Sequence, residues 1–136
     1  MLPPSNPIPG SPEQWLARAK ADLALAKVPL PPGGCYEDLC FHAQQAAEKA
    51  LKAIYVARGQ GFRYVHDLEE LLTGLQKNGL RIPEAIQHAA ILTSYAVETR
   101  YPGMTDPVTA EEYRQAVFLA EQVVRWAEQM LTGPKT

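Results

Sequence analysis

Five stretches of this chain repeat their apolar residues at steps of three and four, and no stretch alternates as a strand does. That period is the helical one, so the sequence predicts an all-α fold. The prolines sharpen it. Of 12, five fall within residues 1–12 and three within 29–32, and the others are Pro83, Pro102, Pro107 and Pro134. Proline lacks an amide donor and clashes inside a helix. Here each one sits at a predicted helix start, a helix end or a linker. The expected architecture is an up-and-down bundle of about five helices, four long and one short, over residues 12–132, with a Pro-rich extended or disordered tail at 1–11 and a short tail at 133–136.

The first helix opens at Ser11-Pro12-Glu13-Gln14, where Ser11 reads as the N-cap and Gln14 completes a capping box. Its stripe is Trp15, Leu16, Ala19, Leu23 and Ala26, with Asp22 beside it. The second runs from about Tyr36 to Arg58 and carries Leu39, Ala43, Ala46, Ala47, Ala50, Ile54 and Ala57. An alanine seam admits close neighbours, which makes this the expected central helix. A shorter helix follows His66-Asp67, with His66 as a candidate cap and Asp67 in the first turn. The fourth is expected from Pro83, with Ile86, Ala89, Ala90, Thr93, Ala96 and Val97 inward until Pro102. The last begins with the capping box Thr109–Glu112 and carries Tyr113, Ala116, Val117, Ala120, Val123, Val124, Ala127 and Leu131.

Composition matters mainly for what it excludes. The net charge of −2 lacks the cationic excess of blanket phosphate binding. No run is long and apolar enough for a bilayer, and the N-terminus lacks the basic start and apolar core of a signal peptide, so a cytoplasmic location is expected. Cys35 and Cys40 are five apart, a step of about 140° around a helix, so they are expected as small buried thiols and not as a disulfide. With His42 they do not complete a zinc set.

Charge is segregated along the chain. Residues 44–66 hold Lys49, Lys52, Arg58 and Arg63 against Glu48 alone, a balance of +3, whereas residues 67–84 carry −2. Opposite the alanine seam, Gln45, Glu48, Lys49 and Lys52 cluster at helical steps. They read either as a solvated face or as part of a local basic patch suited equally to a nucleotide, a short RNA or an acidic partner. Tyr95, Glu98, Arg100 and Tyr101 form a second polar string at the end of the fourth helix.

The run FHAQQAAEKALKAIYVARG, followed by HDLEELL and later by ETRYP, resembles the HEPN domain family. The opening WLARAKADLALA fits as well, with Trp15, Asp22 and Leu23 in matching roles. The resemblance spans roughly residues 12–130 and is most specific at residues 44–50. It implies a helical bundle that pairs into homodimers, nucleotide or RNA binding, and a minimal nucleotidyltransferase partner in a toxin–antitoxin-like system. Ribonuclease members carry Arg-x(4–6)-His near the end of the helix before the last. This sequence departs from that motif. No histidine follows Arg100, His88 precedes it, and Arg63 and His66 are three apart in another loop. The expectation is therefore a protein without catalytic residues, metal or cofactor. Its candidate groove comprises Gln45, Glu48, Lys49, Lys52, Arg58, His66, Arg100 and Tyr101. Glu48 would organise Lys52 and Arg100, and Tyr101 would stack on a base or pack at the dimer interface. The alternatives are a ribonuclease using His66, or a pure protein-interaction module.

Overall fold

A computed structural model describes residues 10–63, 66–96, 102–103 and 106–133. Its elements are α1 (Pro12–Ala26), α2 (Tyr36–Ala57), α3 (Leu68–Lys77), α4 (Glu84–Gln87), a 3-10 helix (His88–Ala96) and α5 (Ala110–Thr132). No strand occurs among the described residues. Most of the Pro-rich tail, and Val97 of the fourth stripe, lie outside them.

The chain starts and stops these helices largely where its sequence chemistry demands. Ser11 Oγ accepts the Gln14 amide at 3.1 Å. The returning arm of that cap reaches one residue further back than expected, since the Gln14 side chain accepts from Gly10 N instead of Ser11 N. The box at α5 is complete: Glu112 N donates to Thr109 Oγ1 at 3.1 Å and Thr109 N donates to Glu112 Oε1 at 2.9 Å. Thr109→Ala leaves one of these orphan amides to water. It should lower unfolding free energy by about 1 kcal/mol, read from urea denaturation followed by circular dichroism. At the end of α2, Gly59 takes φ +67°, the left-handed position that lets the chain leave the helix.

Helix α2 is central, with α1 and α5 both packed along it. Ala43, Ala46, Ala47, Ala50 and Ala53 are fully buried, which brings the neighbouring backbones close. Ala57 lies beyond the seam and is exposed at the helix end. Helix α5 buries Ala116, Ala120, Val123, Val124 and Ala127 of the predicted stripe, half-buries Tyr113, Val117 and Leu131, and buries Leu119 in addition.

The fourth helix differs from expectation. Only one turn is α-helical, and the chain then tightens into the 3-10 helix. The reason lies in the spacing. Ile86, Ala89 and Leu92 are buried, and Tyr95 packs against the same core. These positions are three apart, which is the 3-10 repeat, while Ala96, also buried, falls four after Leu92. Ile91, Thr93 and Ser94 weaken the α-helical alternative, and Thr93 Oγ1 is drawn off to accept Leu68 N at 3.0 Å.

Candidate functional site

Much of the polar face of α2 is buried, with Gln45 and Lys49 left partly exposed. Gln44, Glu48 and Lys52 are 0%, 3% and 5% exposed. Helix α1 packs along α2, and Trp15 from α1 meets Phe62 edge-on at 5.8 Å. The Lys52 ammonium lies 5.7 Å from the Trp15 ring centre and 5.1 Å from that of Phe62. Ring faces stabilise a cation that has left water, and two of them here roof over a lysine expected either on a solvated face or in a ligand pocket.

Two carboxylates organise this face. Asp22, from α1, accepts Lys49 Nζ at 2.6 Å on one oxygen, and its other oxygen is 3.0 Å from His42 Nδ1. Glu48 repeats the pattern: Lys52 Nζ donates to Oε2 at 2.8 Å, while Oε1 accepts Gln44 Nε2 at 2.9 Å and faces His66 Nδ1 at 2.9 Å. Gln44 Nε2 also reaches the His66 carbonyl at 3.4 Å, and Gln45 Nε2 donates to Gln44 Oε1 at 2.8 Å. Burial pushes the Glu48 carboxyl upward. The hydrogen bonds from Lys52, Gln44 and His66, with the Lys52 charge, outweigh it and hold the group below the usual carboxylate range.

The predicted groove residues therefore separate. Gln45, Glu48, Lys49, Lys52 and His66 come together on one flank of α2. Lys52 is enclosed and unavailable to a ligand. Arg58 caps the far end of the helix, nine residues or about 14 Å beyond Lys49, and its guanidinium donates to Asn78 O at 2.8 Å. Arg100 and Tyr101, together with Glu98, lie outside the described residues. The organising role expected of Glu48 holds for Lys52. His66 does not cap α3. Asp67 does, accepting the amides of Glu69 and Glu70, which frees the imidazole for Glu48. Two participants were missing from the candidate set, Gln44 and His42. Asp22 was noted beside the α1 stripe without a role. The missed signal was a carboxylate at the edge of an apolar stripe, facing a lysine on another helix.

The segregated charge also closes on itself. Arg63 donates to Glu70 at 3.1 Å, so the acidic α3 offsets part of the basic stretch. Of the two cysteines, only Cys40 is buried. Its thiol is pushed up to about 12 by burial and by the charges of Glu37 and Glu112. Cys35 is exposed, with Sγ 3.5 Å from Asp38, because it lies at the mouth of α2 before the seam begins. Among the described residues no group of three His, Cys, Asp or Glu side chains is placed to hold a metal, and no helix is long and apolar enough to cross a membrane.

A family model for the HEPN domain matches residues 12–130. The crystal structure of TT1696 from Thermus thermophilus is similar at 35% identity and a TM-score of 0.77, over 88% of this chain and 98% of that one. ST0689, an archaeal HEPN homologue, is 27% identical with a TM-score of 0.72, over 90% of this chain and 98% of its own. A HEPN domain protein from Thermotoga maritima is 25% identical with a TM-score of 0.54, over 88% and 92% of the two chains. No match was found among curated proteins.

Proposed function

The chain belongs to the HEPN domain family, and from that premise we propose that it binds nucleotide or RNA on the α2 flank without cleaving it, as the partner of a minimal nucleotidyltransferase in a cytoplasmic toxin–antitoxin-like pair. One observation carries the binding site. The His66 side chain is 59% exposed, and its Nδ1 is held 2.9 Å from a buried carboxylate. A carboxylate only accepts, so Nδ1 carries the hydrogen and Nε2 points its lone pair outward. Toward a ligand, Nε2 accepts from a hydroxyl or amine, or donates to phosphate once protonated. Gln45 adds a carbonyl oxygen, since its amide nitrogen is engaged by Gln44. Lys49 adds charge already shared with Asp22.

This wiring supports modest, local affinity, because Lys49 and Lys52 both already face carboxylates. A ligand that also engages Arg58 must be a strand and not a mononucleotide. Titration calorimetry of ATP and of a short single-stranded RNA should give saturable heats with the wild type. They should weaken at least about tenfold, the worth of one charge-assisted contact, in His66→Ala and Lys49→Ala. Equal and negligible heats for all three proteins sink the binding reading.

A second reading has its own support, the carboxylate-backed imidazole, which is how a general base is oriented. In that reading the protein is a metal-independent ribonuclease. The same RNA incubated in EDTA decides it: cleavage abolished by His66→Ala supports it, and intact RNA removes it. A homodimer completes the leading proposal, and sedimentation as a monomer at micromolar concentration contradicts that part alone.

A further inference from the structure

We propose that a second site, the cleft between the end of α1 and the first half of α5, docks an acidic amphipathic helix of a partner protein. The cleft is a shallow, open depression of about 260 Å³ lined by Lys27, Tyr113, Arg114, Val117, Phe118 and Glu121. It shares no residue with the α2 flank.

Three observations carry the proposal. The first is Phe118, 60% exposed and the most exposed large apolar side chain among the described residues. An aromatic ring left in water beside a concave apolar floor is the composition of an anchor point in protein interfaces, as is an adjacent arginine. The second is rigidity. Tyr113 Oη donates to Ala26 O at 2.5 Å, and its ring stacks on Tyr36 at 4.9 Å, so the cleft wall is fixed before anything binds. Prior ordering removes part of the entropic cost of association.

The third is charge. Glu121 is the sole anion of the lining, and it already serves Lys27 at 3.3 Å and Arg125 at 3.6 Å. Arg114 has no ion-pair partner among the described residues. The lining thus carries two cations, Lys27 and Arg114, against one carboxylate, and its complement is a surface of carboxylates around an apolar side chain. Two cations against one carboxylate fall short of the cationic track that a continuous phosphate backbone needs, and the exposed Phe118 suits an apolar side chain of a protein. The volume falls below the roughly 300–1,000 Å³ of small-molecule pockets, so it takes one apolar side chain, with the rest of the contact along the rim. A shallow depression lined by α5 and the residue that caps α1 receives a helix more readily than a strand, because it offers no free backbone edge.

The test uses the full chain and a fluorescein-labelled synthetic helical peptide with leucines on one face and glutamates on either side of them. Anisotropy titration should give saturable binding that weakens with added salt. It should fall at least about tenfold in Phe118→Ala and in Arg114→Glu, the usual scale for an interface anchor. Both residues are exposed, and circular dichroism confirms that the variants fold. The counterpart peptide with lysine for glutamate should not bind. Absence of binding, equal binding by both variants, or equal binding of the lysine peptide overturns the proposal. So does an RNA oligonucleotide that binds with the same dependence on Phe118 and Arg114, which makes the cleft a nucleic-acid site. If Phe118→Ala instead turns a dimer into a monomer in sedimentation, the occupant is a second copy of the chain and the proposal is likewise overturned.

Discussion

Glu48→Ala should destabilise the fold by about 3–5 kcal/mol, the cost of leaving a buried charge without its partner. Lys52 is 5% exposed and cannot follow its charge into water without moving Trp15 or Phe62. Gln44 and His66 lose an acceptor at the same time. Glu48→Leu combined with Lys52→Met removes both charges and should recover much of the loss, because an apolar pair of similar volume often matches a buried ion pair. Urea denaturation of the wild type and these variants measures the difference. If the double variant is no more stable than Glu48→Ala, the pairing account fails. The pH dependence has a definite sign. The folded-state pKa of Glu48 is lowered, so its stabilisation is complete above the unfolded value, near 4.5, and disappears as pH falls through the folded value. Glu48→Gln should flatten the acid limb of the stability profile while leaving its neutral shape unchanged.

Gly74→Ala should cost about 2–3 kcal/mol, although it replaces a poor helix former within α3 by the best one. Propensity favours alanine by about 1 kcal/mol. Against this, a Cβ at position 74 would lie 2.2 Å from Tyr55 Oη. Tyr55 is 3% exposed and its hydroxyl donates to Leu71 O at 2.6 Å, so the ring has nowhere to retreat without breaking a buried hydrogen bond. Overpacking of this kind costs about 1–3 kcal/mol, and the lost bond adds a comparable amount. Tyr55→Phe removes the clashing oxygen. The double variant should therefore be more stable than the sum of the two single losses predicts, and strict additivity in thermal melts would contradict the close-approach explanation.

The helices were legible because their signals are local. Ser11, Thr109 and Asp67 have side-chain oxygens within reach of the first amides of their own helices. The alanines of α2 recur at a period that needs no knowledge of the partner. The fourth segment shows where that reasoning weakens. Its apolar residues satisfy a step of three and a step of three-to-four almost equally over one turn. Packing decided between them: Leu92 is buried, and Thr93, expected to face inward, has its hydroxyl taken by the start of α3.

The candidate site was half legible. Gln45, Glu48, Lys49 and Lys52 share a helix, so their proximity follows from the 3.6-residue turn. Asp22 and His66 come from other segments, and only packing brings them to Lys49 and Glu48. The charge balance of +3 over residues 44–66 read as a basic pocket. In space, Asp22 and Glu70 meet two of those cations from neighbouring helices, and Glu48 takes a third.

By itself, then, the sequence determined the number of helices, most of their limits and which faces turn inward, since periodicity, caps and breakers act within a few residues. It also determined family membership, which rests on side chains spread over residues 12–130. Whether a polar face meets water, however, depends on what another helix lays across it, and charge along a chain says little about charge in space. The tertiary structure alone decided that Lys52 is enclosed, that His66 serves Glu48 instead of capping α3, and that Phe118 stands exposed beside Arg114 at the mouth of a cleft.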